Sequence, residues 1–201
     1  MRHRPIPLAA AVLLAFVTSA VTAPPPLETE AITLTLDPEA SRVAFTLQAT
    51  MHRVEGSFQV VEGAIDFDPE TGAASGRVVV DVMSGDTGNP RRDRDMHRIV
   101  LKSDRYPQAV FTPSRFDGEL PDDGATGRVT LAGELILHGA AHEVTIPARV
   151  TRQGSRVTAE GDLAVPYVVW GMADPSKFVL RVAKEVAVRL TAVGELAPAG
   201  P

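Results

Sequence analysis

The 201-residue sequence predicts an all-β protein, an antiparallel barrel or sandwich of about eight strands with one short helix. Three observations carry this expectation. Apolar and polar residues alternate through most of the chain, as they do in strands with one buried face. The alternating runs recur at near-regular spacing between breakers such as Asp68–Pro69, Gly88–Asn89–Pro90, Asp123–Gly124 and Gly154. The rhythm fails once, in "DMHRIVLKSDRYPQAVF" at 95–111, where Met96, Ile99 and Val100 fall at helical spacing until Tyr106–Pro107 ends the helix.

Taken in order, the chain opens on "MRHRPIPLAAAVLLAFVTSAVTA". A basic start (Arg2, Arg4), an apolar run from Leu8 to Val17 and then small residues read as a secretory signal peptide. The apolar run falls short of the roughly 20 residues that span a bilayer. Cleavage is expected after Ala20 rather than Ala23, which Pro24 follows. Residues 1–20 are thus the signal peptide, 21–31 a flexible linker containing "PPPLETE", 32–196 the folded domain and 197–201 a C-terminal tail.

Strand signals begin at Ile32 with "ITLTL" and "VAFTLQA". The long run "SFQVVEGAIDF" ends at a Pro-Glu-Thr-Gly turn, and "GRVVVDVMSGD" leads to the helix, expected around 91–102. "AVFTPSRFDG" follows it. "GRVTLAGELILHG" and "HEVTIPARVTRQG" form two hairpin arms around Gly139–Ala141, and "RVTAEGDLAVPYV" and "KEVAVRLTAVGEL" complete the set. Val43, Phe45 and Leu47, Val78, Val80 and Val82, and Val186, Val188 and Leu190 mark an apolar face. Arg42, Asp81, Glu134 and Arg189 mark the other. Gly133 interrupts the apolar face and suggests a bend.

The composition narrows function. A net charge of −5 argues against nucleic acid, and the absence of cysteine removes disulfides, thiol catalysis and thiolate metal sites. There is no nucleophile elbow, no HExxH and no phosphate loop. An eight-stranded barrel has room inside for side chains or for one ligand.

Four stretches occur in an order and spacing that resemble the YceI-like family of exported lipid-binding proteins: "RDMH" within 94–97, "RYPQAVF" at 105–111, "GELILHGAAHEVTI" at 133–146 and "WGM" at 170–172. The similarity covers about Val43 to Val193. Arg98 departs from it where the family has an apolar residue, and "LKSDRYP" lacks an aromatic pair. Ile136 stands for Thr and Trp170 for Phe. The resemblance implies an extended, lipocalin-like eight-stranded antiparallel barrel in the periplasm, holding an isoprenoid or other long-chain amphiphile and requiring no cofactor or catalysis. Candidate ligand contacts are Phe45, Leu47, Phe58, Met96, Ile99, Phe111, Tyr167, Trp170, Met172 and Phe178. Asp95, His97, Pro107, Gly139 and Gly171 are structural motif positions. The implied partner is the lipid itself, met through transient membrane contact; a homodimer is left open.

Other readings stay beside this one. The helix either closes the cavity as a lid or plugs a barrel end. Trp170 packs on a ligand at the rim or caps the core. His97 with Asp95 or Asp93 is the sole candidate for catalysis on a lipid or quinone, weighed against a hydrogen-bonded His that fixes the loop. His138 and His142 fall short of the three or four ligands of a metal site. Arg91, Arg92 and Arg94 hold an anionic head group or form a solvated loop. The cluster Asp117, Asp122 and Asp123 lacks the offsets of a calcium loop and reads as a hairpin loop. A third class is a ligand-free envelope module whose barrel is filled by side chains.

Overall fold

A computed structural model describes residues 31–50, 52–176 and 181–198. The expected signal peptide lies outside these residues, as does Phe178. Nine strands are present among them: β1 (Ile32–Leu36), β2 (Arg42–Gln48), β3 (Arg53–Phe67), β4 (Ala74–Asp86), β5 (Gln108–Gly118), β6 (Thr126–Leu137), β7 (Ala140–Gln153), β8 (Arg156–Val165) and β9 (Val186–Pro198). All pairings are antiparallel, and β3 with β4 closes the sheet into a barrel. Both β1 and β2 lie between β3 and β9, β1 against their C-terminal ends and β2 against earlier residues. They form one stave broken at residues 37–41, so the closed barrel has eight staves.

The break is bridged by a side chain. The backbone N–H of Val193 donates to Ser41 Oγ (3.0 Å), whose hydroxyl donates to the Val193 carbonyl (3.2 Å). Asp37 N–H donates to the same carbonyl at 2.7 Å. Ser41 is buried and satisfies β9 backbone groups where no strand runs opposite.

Other differences from expectation are local. β9 extends through Pro198, two residues into the segment expected to be tail. The β6–β7 turn is only His138–Gly139, both at positive φ (54° and 77°), which fits a type I′ hairpin. Gly133 sits where β5 bulges between Pro113 and Arg115; a Cβ there would lie 2.2 Å from the Thr112 carbonyl oxygen. That bulge turns both Phe111 and Phe116 inward, opposite Leu135 and Leu131.

The helical segment runs from Pro90 to Leu101 and has two parts. α1 (Pro90–Asp95) starts with Pro at its first position and Asn89 as cap, whose side chain accepts from the Arg91 and Arg92 N–H groups. A π-helical turn, Met96–Leu101, follows and ends at Lys102 in the left-handed region. Its i→i+5 bonding brings Met96 and Leu101 to one side and leaves Ile99 43% exposed.

Residues 49–50 and 52, 87–107, 138–139, 166–176 and 181–185 gather at one end, the mouth. Those at 68–73, 119–125 and 154–155 gather at the other, the base. At the base, Ile65, Phe67, Phe116, Val129, Val150 and Val157 pack as a core, with Phe67 and Phe116 stacked at 4.7 Å.

Candidate functional site

Toward the mouth the inward positions stop filling the barrel. Ala109 on β5, Ala148 on β7, and Ala159 and Gly161 on β8 take places where larger side chains would meet across the axis. The result is a cavity of about 800 Å³, within the range of small-molecule sites. Its wall is overwhelmingly apolar, from Leu34 and Val43 on one side to Leu135, Leu163 and Val188 on the other. Phe45 and Phe58 lie against each other in that wall at 5.2 Å.

Polar groups appear at the mouth. Thr87, Asn89, Arg91, Arg92 and Asp95 come from the helical connection, His52 from the β2–β3 turn, and Asp174 and Ser176 from the β8–β9 connection. Arg92 is tied down: its Nε donates to Thr87 Oγ1 and its Nη2 to the Thr87 carbonyl, both at 2.8 Å. Ser176 hydrogen bonds, from the hydroxyl and then the backbone N–H, hold the Asp174 carboxyl below the usual carboxylate range.

Of the candidate ligand contacts, Phe45, Leu47, Phe58, Met96, Ile99, Phe111, Tyr167 and Met172 line this cavity. Met96, Ile99, Val100 and Leu101 bring the helical segment into the wall, and Val100 and Leu101 also pack against Val165, Tyr167 and Met172. The segment therefore borders a cavity and does not plug one. The Tyr167 hydroxyl donates to the Ala183 carbonyl (2.9 Å), tying the β8–β9 connection together. Burial, with help from Asp174, pushes its pKa up to about 12.

Trp170 requires a correction, because it is not in the cavity wall. Its indole stacks face to face on His142, 3.9 Å between ring centres and 6° between planes, and packs on the Tyr167–Met172 cluster. It caps the rim, and Gly171, at φ 86°, follows it in the turn. His138 goes elsewhere, against Tyr106 at 4.6 Å. Gly139 leaves room for that Tyr106 ring, whose Cε1 would lie 2.4 Å from a Cβ. The Nε2 atoms of both His138 and His142 are buried without hydrogen-bond partners among the described residues. Burial, then Lys102 and Arg105, hold His138 below the usual histidine range. Among the described residues, no group of three or more His, Asp or Glu side chains is placed to hold a metal.

His97 is a structural clip. Its Nε2 lies 2.9 Å from the Gly85 carbonyl, which can only accept, so Nε2 carries the proton and Nδ1 accepts from Ser103 Oγ at 2.8 Å. Ser103 is buried, and its N–H donates to the His97 carbonyl. Asp95 instead faces Arg98 (3.7 Å), and Asp93 accepts from Thr87 N–H (3.0 Å). Neither carboxylate orients the imidazole. The Pro107 carbonyl accepts from Val82 N–H and starts the β4–β5 ladder. Asp117, Asp122 and Asp123 belong to the β5–β6 hairpin, where Asp123 accepts from Gly154 N–H. Sequence reasoning missed the small inward residues; alanine and glycine at alternate strand positions were the available signal.

The YceI-like domain matches residues 34–193 of this chain. A UPF0312 protein of Yersinia enterocolitica is 32% identical over 102 residues, and the YceI protein of Shigella flexneri is 31% identical over 101. Each alignment spans about half of this chain and half of the relative's length. Among solved structures, Burkholderia cenocepacia BcnA superposes with a TM-score of 0.66 at 24% identity, covering 79% of this chain and 99% of BcnA. A polyisoprenoid binding domain from Saccharophagus degradans superposes at 0.64 with 19% identity, covering 84% and 99%. These structures share the barrel fold.

Proposed function

The chain belongs to the YceI-like family, and on that premise we propose that it is an exported, periplasmic binding protein that carries or sequesters one isoprenoid-type or other long-chain amphiphilic lipid. The observation that carries the reading is the apolar cavity of about 800 Å³, whose polar lining gathers mainly at its mouth, with Arg42 and Thr191 beside the broken stave. A long chain lies along the barrel while its polar end stays in water. At about 0.8 kcal/mol per buried CH₂, a chain of about twenty carbons gains on the order of 16 kcal/mol before the costs of association. No strong polar contact is needed, so length and shape set selectivity. The name of the Saccharophagus degradans neighbour supports an isoprenoid.

The catalytic alternative loses its one candidate group. Both nitrogens of His97 are occupied by Gly85 and Ser103, and the ring is absent from the cavity wall. The cavity volume likewise favours a ligand over a barrel filled by side chains.

Mass spectrometry of the organic extract from purified protein is the test, followed by partition of a non-absorbing polyprenol onto the delipidated protein. A co-purifying long-chain lipid and saturable binding are expected. Ala109→Phe, which adds a ring inside the cavity, should shorten the longest chain accepted without unfolding the barrel. A delipidated, folded protein that binds no lipid of any length refutes the carrier reading.

A further inference from the structure

We propose that the mouth end of the barrel is a docking surface for an anionic phospholipid bilayer. Two independent asymmetries of the surface point to it.

The first is apolar. Five large hydrophobic residues are exposed among the described residues: Val169 (81%), Met83 (58%), Val61 (48%), Ile99 (43%) and Ile136 (40%). All but Val61 lie at the mouth end. Ile136 is one residue from the end of β6, and Met83 is three from the end of β4. Val169 and Ile99 flank side chains that pack on one cluster: Val168 and Trp170 on one element, Val100 and Leu101 on the other. The two therefore share one rim, with Ile99 at the cavity's open edge. Apolar side chains gathered around one opening, and not scattered over the surface, suit insertion among lipid head groups.

The second is electrostatic. Residues 90–105 hold six cations (Arg91, Arg92, Arg94, Arg98, Lys102 and Arg105) against three carboxylates (Asp93, Asp95 and Asp104), in a chain of net charge −5. Arg92 is held by Thr87, Arg98 by Asp95, and Arg105 lies over the Tyr106 ring. Arg91, Arg94 and Lys102 are exposed, with no ion pair among the described residues. Glu55, Asp86, Glu134, Glu143, Asp174 and Glu185 also lie toward this end, with Arg53, Arg181 and Lys184, so the positive excess is that of the helical connection itself. The base loops are the opposite: 68–73 and 119–125 carry Asp68, Glu70, Glu119, Asp122 and Asp123 and no Lys or Arg. An anionic surface thus attracts the mouth and repels the base, which orients the barrel with its opening toward the bilayer. A second copy is a poor occupant, because two such mouths repel one another.

The proposal goes beyond the lipid-carrier reading and does not depend on which molecule occupies the cavity. Flotation of the full chain with vesicles tests it, using phosphatidylcholine alone or phosphatidylcholine with phosphatidylglycerol. Binding is expected only with phosphatidylglycerol and should weaken as salt is raised. Val169→Asp should weaken it about tenfold or more. Arg94→Glu with Lys102→Glu should weaken it by about fivefold per charge removed and abolish the preference for phosphatidylglycerol. Val61→Asp, also exposed (48%) but on the barrel wall, should change nothing. These are surface positions, so unchanged circular dichroism melts will confirm that the variants fold. Ala109→Phe should float as the parent does, which separates docking from cavity occupancy. Equal flotation with both vesicle types, or flotation indifferent to Val169→Asp and to the charge reversals, overturns the proposal. So does failure to float under every condition.

Discussion

Phe111 and Phe116 lie on the same strand, both turned inward, and meet different surroundings. Phe116 stacks on Phe67 within a core of Ile65, Val129, Val150 and Val157. Phe111 faces a cavity of about 800 Å³ whose far wall carries Ala159, Gly161 and Leu163. One set of staves thus builds a packed base and a wide mouth half. The difference lies in side-chain volume at a few inward positions: the β6–β7 and β7–β8 ladders run unbroken through both halves, and β5 crosses between them through its bulge. Stability is concentrated where packing is complete, and binding where it is not.

Paired truncations are the most direct way to break this comparison. Phe116→Ala should cost about 3–5 kcal/mol, because it opens a void in a packed core. Phe111→Ala should cost roughly 1–2 kcal/mol, because its ring already lacks neighbours on one side. Urea unfolding of the two variants measures the gap; equal costs would mean that the two halves are equally packed. A smaller effect is expected at the broken stave, where Ser41→Ala should cost about 1–3 kcal/mol by orphaning the buried Val193 N–H, while the carbonyl keeps its bond from Asp37. Hydrogen exchange at the Val193 amide would place that loss.

The smallest expected effect is a pH dependence at the mouth. His138 titrates below its ordinary value of 6.5 in the folded protein. The unfolded chain therefore takes up its proton first as pH falls, and folded stability declines as acidification passes below about 6.5, levelling off below the folded value. The groups facing this ring are Tyr106, Lys102 and Arg105. Thermal melts across that range should show the slope, and His138→Asn, which tolerates positive φ, should reduce it. An identical slope in the variant would assign the dependence to other groups.

Much of the barrel was legible in the chain. Alternation placed Val43, Phe45 and Leu47 inward because a strand with one buried face has a period of two, whatever its partners are. Helical spacing groups Met96, Ile99 and Val100 on one side of a helix by the same logic and leaves open whether that side is a lid or a plug; the loop-fixing role of His97 rests on the family resemblance. Strong local periodicities survive any tertiary context that buries the same face. The bulge at residues 113–115 was not legible, nor its effect of turning Phe116 inward, because it depends on the register of β5 against β6.

By itself, then, the sequence determined which residues face inward along unbroken strands, where the strands break and that a short helix interrupts them. These follow from local backbone chemistry and solvent preference. Only the tertiary structure decided that β1 and β2 are one stave bridged by Ser41, that Trp170 leaves the cavity to stack on His142, and that the helical segment widens into a π turn. It also decided that Ala109 near the mouth and Ala148, Ala159 and Gly161 deeper in the barrel border one cavity. Such outcomes depend on which side chains from distant strands share a cross-section. Closure of the sheet sets that, and no single stretch of chain carries it.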